Sequence, residues 1–443
     1  MLITHARIIT FDPEWEFLED GALYIADGVC KDLGPRDELC TRYPDIPRLD
    51  VEGQVVLPGM ILPHTHIYSA FARGMPPAPS PPRNFLQVLE RTWWHLDKFL
   101  TPEDIRLSAY AAVLDCIRAG TTTVFDHHAS PGAVSGSLDL LADVVNELGV
   151  RACLCYEVSD RDGEKVALAG IEENVRFAQV CQKRGGNHLR ALFGIHASFT
   201  VSDATLKACA EAANGLGVGF HLHLGEGPTD RRETQRKYGY PSPVRRLAEW
   251  GLLNERTLLA HGVDLNEEEL KILSENDVIL LHNPRSNMNN AVGYANAIHM
   301  LDEGLVVGLG TDGMSASLLT EMPFAVLLAH MASGDPSVGW NLPRRLVADG
   351  HPRIAERIFG LPLGRIRVGE PADLIFFNYD PPTPITAENY WMHILFGLSE
   401  TRVRSTMVAG RFLMKDWEIR VCDEAKIRAE ARRQAQSLWQ RLA

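Results

Sequence analysis

Pro63-His64-Thr65-His66 places two imidazoles two residues apart. That spacing turns both side chains to one face of an extended strand, where they can chelate a single divalent ion. Three further segments carry related chemistry: His221-Leu222-His223-Leu224-Gly225-Glu226, Ala260-His261-Gly262 and Gly310-Thr311-Asp312-Gly313. Each closes an apolar, β-rich run, so each falls at the carboxyl end of a different predicted strand. One HxH pair is a weak signal, and a lone His261 reads more readily as a satisfied core histidine. Four such placements at the same end of different strands point to one shared site.

From Val55 onward, β-rich runs alternate with amphipathic stretches of ten or more residues. The runs fall at Val55–Leu62, Thr121–His127, Arg151–Val158, Leu189–His196, Val218–Leu224, Thr257–His261, Val278–His282 and Leu305–Gly310. Eight strands alternating with helices predict an α/β fold, a (β/α)8 TIM barrel over residues 56–364, and barrel enzymes build their sites on the C-terminal face. Short β runs at Leu2–Thr10, Gly21–Ile25 and Val29–Leu33 have counterparts near the other end at Ala372–Asn378 and Thr401–Met414. Because short β segments need partners, residues 1–55 and 365–420 are expected to pair into one small β-sandwich, with a C-terminal helix over 421–443. The segment Met75–Pro82, with five prolines in eight residues, favours extended geometry and is expected to hang over the barrel mouth as a lid.

With 45% hydrophobic and 23% charged residues the composition is that of a globular protein. Lys+Arg 44 against Asp+Glu 57 gives a net charge of −13, which argues against nucleic acid as a partner. No apolar run approaches the ~20 residues of a membrane span. The N-terminus enters strand-like sequence without a basic-then-apolar leader, which implies a cytoplasmic location and no membrane partner. None of the eight cysteines stands in a CxxC pair, so reduced, structural thiols are expected. The acidic charge favours solubility and leaves oligomeric state open, a homo-oligomer included.

The order HxH, HxxE, Ala-His-Gly and Thr-Asp-Gly resembles the amidohydrolase superfamily, in the branch of cytosine and guanine deaminases and triazine hydrolases. Phe85–Leu96 with its Trp93-Trp94 pair, Asp126–Pro131 and His282–Asn290 are most similar to the SsnA-type aminohydrolases. The resemblance covers nearly the whole chain and implies a metal-dependent barrel with a β-sandwich. It implies His64, His66 and His223 as imidazole ligands and Asp312 as the carboxylate ligand. Such a set with an open position suits Zn2+, with Fe2+ as the alternative, and would lower the pKa of a bound water to ~7. Glu226 would shuttle a proton to the departing nitrogen. His261 would polarise the attacked carbon's substituent or hold the hydroxide, and Asp312 would take the hydroxide's proton. Many relatives hold a second metal through a carboxylated lysine after the fourth strand. This chain has His196 there and no lysine nearby, so one metal ion per chain is expected and His196 becomes a substrate contact. His221 would support the ligands from one layer deeper.

Asn283, Arg285 and Asn287 offer amide and guanidinium groups to a planar polar ligand, Arg285 and Asn287 being the expected contacts. Trp94 is expected to join them, since one of two adjacent tryptophans on a helix must face away from the core. His127 and His128 alternate in facing, so at most one points at the site. The expected activity is hydrolysis of a C–N bond in a small nitrogen heterocycle, by deamination or ring-amide opening, with a purine-like or purine-derived substrate implied by resemblance. A chlorohydrolase acting on a triazine-like ring would use the same attack with less need of Glu226. A metal-binding protein without catalysis would need neither Glu226 nor His261.

Overall fold

The computed structural model describes residues 1–442. Its two chain ends meet in one nine-stranded sheet. Leu2–Ile9, Phe17–Ala26, Val29–Pro35, Arg48–Asp50 and Val55–Pro58 come from the N-terminal side; Leu374–Phe377, Ser405–Val408, Arg411–Lys415 and Glu418–Ile419 come from the C-terminal side. The halves join where Val55–Pro58 runs antiparallel to Leu374–Phe377. An isolated bridge from Val29 to Pro371 curls the sheet round an apolar core that includes Ile3, Ile8, Leu23, Val56, Phe376 and Met407.

The barrel strands are β1 (Met60–Thr65), β2 (Thr121–His128), β3 (Arg151–Tyr156), β4 (Leu189–Ala191 with Phe193–Ala197), β5 (Phe220–Leu224), β6 (Leu258–His261), β7 (Ile279–His282) and β8 (Val306–Leu309). All pair in parallel. Bridges from Thr65 to Asp312 and from Val158 to Ile195 close the ring. Ile61, Phe125, Cys153, Leu258, Ile279 and Val306 fill the interior, and the helix His351–Phe359 plugs the N-terminal end with Ile354 and Phe359. The site stands at the opposite end, on the C-terminal face.

Three local features differ from the sequence reading. The single run expected over Val55–Leu62 is two strands that serve two sheets, divided at Gly59. A Cβ at Gly59 would lie 2.3 Å from Thr122 Oγ1, so only glycine allows the close approach at the handover. Because both strands are buried on both faces, their residues form one continuous apolar run and hide the break. A helix at Tyr390–Phe396 lies between the two C-terminal β runs, where the sequence reading placed no helix. The mouth is roofed by Phe85–Val88, a π-helical turn at Leu89–Trp93 and Trp94–Lys98, whereas Met75–Pro82 is irregular, with a bend at Pro79-Ser80, and is not part of the cavity wall. Arg91 Nη1 holds that segment by bonding Ser80 and Pro81.

The C-terminal helix Glu424–Leu442 lies along Pro102–Ala119, tied by Arg441 and Gln434 to Asp104 and by Arg428 to Asp115. Among the described residues no helix is long and apolar enough to cross a membrane. All eight cysteines are free, six of them buried.

Candidate active site

Every strand end contributes. His64 and His66 close β1, His127 and His128 close β2, Glu157 follows β3, His196 sits in β4, His221 and His223 lie in β5, Glu226 follows it, His261 ends β6, Asn283 follows β7 and Asp312 follows β8. In β5 the alternation is regular: Phe220, Leu222 and Leu224 pack outward against the helices, leaving His221 and His223 to the inside. Two other placements need irregular backbone. The β1–β2 register shifts between Leu62 and Thr65, which lets Ile61 pack inside the barrel and His64 face the same way. Ala260 also packs inside, so a regular β6 would turn His261 outward. A φ of 82° at His261 reverses the chain and brings its ring within 5.6 Å of the His223 ring, centroid to centroid. Asp312 likewise has a positive φ of 53°, a conformation that non-glycine residues keep only where surrounding structure enforces it.

His64, His66, His223 and Asp312 each bring one ligand atom to within 4.8 Å of the others. Their hydrogen bonds show which atoms are free. His66 Nδ1 donates to the His127 carbonyl at 2.6 Å, and His223 Nδ1 donates to the His196 carbonyl at 3.0 Å. In a neutral ring each Nε2 then carries a lone pair. These two nitrogens face each other at 3.1 Å, and His66 Nε2 is also 3.1 Å from Asp312 Oδ1. His64 Nε2 is buried without a partner, while its Nδ1 meets His221 Nε2 at 2.9 Å. Three imidazole nitrogens and a carboxylate oxygen brought this close could hold a divalent ion, and two- or three-histidine sets with one carboxylate suit zinc. Burial pushes His66 down, but the Asp312 carboxylate beside it outweighs that and holds the ring up at about 9, a proton that a divalent ion binding at Nε2 would have to displace. His221 supports His64 as expected, and Ser286 Oγ donates to Asp312 Oδ2.

Beside this cluster lies a small pocket that opens to solvent. Tyr68, Phe85, Leu89, Trp93 and Trp94 form its apolar wall; Glu157, His196, Glu226 and Asn290 are polar groups that also line it. Glu226 Oε1 accepts from Asn290 Nδ2 at 3.0 Å, and its Oε2 is 3.6 Å from His261 Nε2. Burial pushes the Glu226 carboxyl up to about 7 against the opposing pull of His261, the range of a group that can both hold and release a proton at neutral pH. His261 Nδ1 donates to Asn287 Oδ1 at 2.9 Å, which in the neutral ring leaves the Nε2 lone pair toward Glu226.

Of the expected ligand contacts, His196 and Trp94 line the cavity, their rings edge to face at 5.8 Å. Arg285 and Asn287 do not. Arg285 is held by Glu321 and lies over the Phe324 ring at 5.4 Å, because a buried carboxylate one helix away offers a stronger partner than the open mouth. Asn287 is fully buried and spent on His261. Of the histidine pair after β2, His127 faces the cluster, its ring 4.8 Å from that of His223, while His128 turns to Ser130 Oγ at 3.0 Å. The sequence reading gave no part to Glu157, Arg161, Asp97, Tyr68 or Asn290. Glu157 left a signal, a carboxylate at the end of an otherwise apolar strand. Arg161 and Asp97 left none, since they meet only through the fold: Arg161 Nη2 donates to Asp97 Oδ2 at 2.6 Å and its guanidinium covers Trp94 at 5.4 Å.

The family model described as the amidohydrolase family matches residues 55–413. A 5-methylthioadenosine/S-adenosylhomocysteine deaminase of Desulforudis audaxviator is 32% identical over 427 residues, covering 94% of this chain and 95% of the relative. A 5′-deoxyadenosine deaminase of Methanosarcina mazei is 30% identical over 446 residues, covering 100% and 99%. Among solved structures, an adenosine deaminase from Xanthomonas campestris with bound zinc superposes with a TM-score of 0.84 at 23% identity, covering 99% of this chain and 98% of the other. An atrazine chlorohydrolase from Arthrobacter aurescens superposes with a TM-score of 0.80 at 23% identity, covering 99% of each chain. The two structural neighbours share the fold, and the sequence matches reach both the terminal sheet and the strand ends that carry the histidines. A match of that extent means that the chain belongs to the amidohydrolase family.

Proposed function

We propose that this enzyme is a zinc-dependent deaminase of purine-like heterocycles, nucleosides included, working in the cytoplasm. The observation that carries the reading is the meeting of two groups at one cavity: the His64, His66, His223 and Asp312 ligand atoms, and a buried Glu226 carboxyl poised near neutrality. The relatives' names supply the substrate class. In the reaction, water oxygen bonds to the ring carbon, the exocyclic C–N bond breaks, and the amine leaves as ammonia.

A divalent ion held by the four ligands supplies the Lewis acidity that makes water nucleophilic at neutral pH. The chain supplies the rest. Glu226, held by Asn290, carries a proton to the nitrogen side of the reacting carbon. His261, fixed through Nδ1 by Asn287, presents Nε2 to the same atoms, and Asp312 accepts the proton that water gives up. The aromatic roof flattens the cavity and excludes solvent, and His196 contacts the ring beside Trp94. Chloride displacement is less well served, because a chloride leaving group has little use for a protonated Glu226. A metal-binding protein without catalysis has no use for it at all.

The test is a panel of 5-methylthioadenosine, 5′-deoxyadenosine, adenosine, guanine and a chlorinated triazine, read for ammonia, chloride and ring absorbance. We expect ammonia from at least one purine compound, and Glu226→Gln to lower turnover by about 10²–10⁴-fold while zinc content stays at one equivalent. Chloride from the triazine with no ammonia from any purine would overturn the reading.

A further inference from the structure

Glu157 is 5% exposed and lines the cavity, and only one of its two carboxylate oxygens has a partner within hydrogen-bond reach. Arg161 Nη2 and His196 Nε2 stand 3.8 Å from Oε1, beyond hydrogen-bond distance. Arg161 is turned toward Asp97. His196 Nδ1 donates to Thr200 Oγ1 at 2.8 Å, whose own hydroxyl donates to the Ala197 carbonyl, so a neutral His196 carries a lone pair on Nε2. His127 Nδ1 pairs with Oε2 at 3.2 Å, while its Nε2 meets the His221 carbonyl at 3.0 Å. Oε1 is thus left without a donor, on a residue that lines the space a substrate must fill.

We infer that Glu157 is a specificity-determining residue that accepts two adjacent hydrogen-bond donors of the substrate. The inference rests on the proposed deaminase reading and narrows its substrate class to compounds with such a donor pair. Two sources fit: the N–H edge of a free oxopurine or aminopurine base, and the vicinal hydroxyls of a nucleoside's ribose. No lysine or arginine lines the cavity, so the wall selects donors over anionic groups. Trp94 packs beside His196 under the Arg161 guanidinium, which sets a flat aromatic face next to the carboxylate.

The experiment measures binding to the zinc-loaded full chain through quenching of Trp93 and Trp94 fluorescence. Two probe pairs are used: guanine with 1-methylguanine, and 5′-deoxyadenosine with its 2′,3′-dideoxy analogue. In wild type, one pair should show about a 10- to 100-fold preference for the member with intact donors, the range for hydrogen bonds to a charged group. Preference within the guanine pair assigns the base edge, and preference within the nucleoside pair assigns the ribose. Glu157→Gln should erase that preference with zinc content and circular dichroism unchanged. If Glu157→Gln loses zinc or fold, the wild-type preference decides alone, and its absence overturns the inference. Equal preferences in wild type and variant also overturn it. Failure of wild type to bind any of the four probes overturns the deaminase reading and this inference with it.

Discussion

His261 is held in an unfavourable backbone conformation, φ 82°, with its ring fixed by one hydrogen bond to a fully buried asparagine. Strain of this kind costs of order 1–3 kcal/mol and persists only where neighbours over-determine it. Asn287 Oδ1 decides which nitrogen of His261 carries the proton, and hence that the lone pair points at Glu226. Asn287→Ala should therefore leave zinc at one equivalent and lower kcat/KM about 10- to 100-fold, the usual effect of removing a group that orients a site histidine; steady-state kinetics beside elemental analysis checks it. His223→Ala acts differently. It removes a ligand nitrogen and leaves His66 Nε2 facing only Asp312, so the metal itself should be lost. Full zinc retention in His223→Ala would break the ligand assignment.

At the scale of elements, the ligands depend on how tightly β1, β7 and β8 pack at the C-terminal face. Gly310 ends β8 against the other two: a Cβ there would lie 2.4 Å from Asn283 Oδ1 and 3.1 Å from His64 Cβ. Gly310→Ala should displace His64 or Asn283 and weaken zinc binding in a chelator competition, although residue 310 touches no ligand atom of the cluster. The strand-end histidines of β1 and β5 were legible because i, i+2 spacing alone places two side chains on one face. His261 could be suspected only in company, since the local pattern turns it outward and a backbone reversal turns it back. The roof escaped the sequence for a related reason: proline content favours extended geometry in Met75–Pro82, but which neighbouring segment covers the mouth depends on the Arg161–Asp97 tie and on His95 Nε2 meeting the Leu442 carbonyl at 3.0 Å. Arg285 looked available because its partner Glu321 stands thirty-six residues away on another helix. Spacing reports what one element presents; pairings between elements are decided by packing.

At the scale of the whole molecule, the barrel is bracketed by a sheet that needs both chain ends, and the seam between them holds a titratable group. Cys30 N donates to the Glu370 carbonyl and Ala372 N to the Gly28 carbonyl, each at 2.9 Å, so Glu370 sits where the N-terminal hairpin is stitched to the returning chain. Its side chain is half-buried, with Oε2 withdrawn from solvent and without a partner. Burial pushes its carboxyl up to about 7, and Arg367 and Arg365 only partly offset that. The folded state thus binds this proton more tightly than the unfolded chain, whose glutamates titrate near 4.3. Stability from this group is fully present below about pH 4.3 and is lost as pH rises through about 7. Glu370→Gln keeps the shape and removes the charge. Relative to wild type it should be far less stabilising in urea unfolding at pH 5 than at pH 8.5, with the difference growing between about pH 4.3 and about pH 7. Because the side chain remains partly exposed, solvent screening keeps the gain small. An equal effect of the substitution at both pH values would show that the seam does not titrate and that Glu370 is already ionised in the folded protein at pH 5.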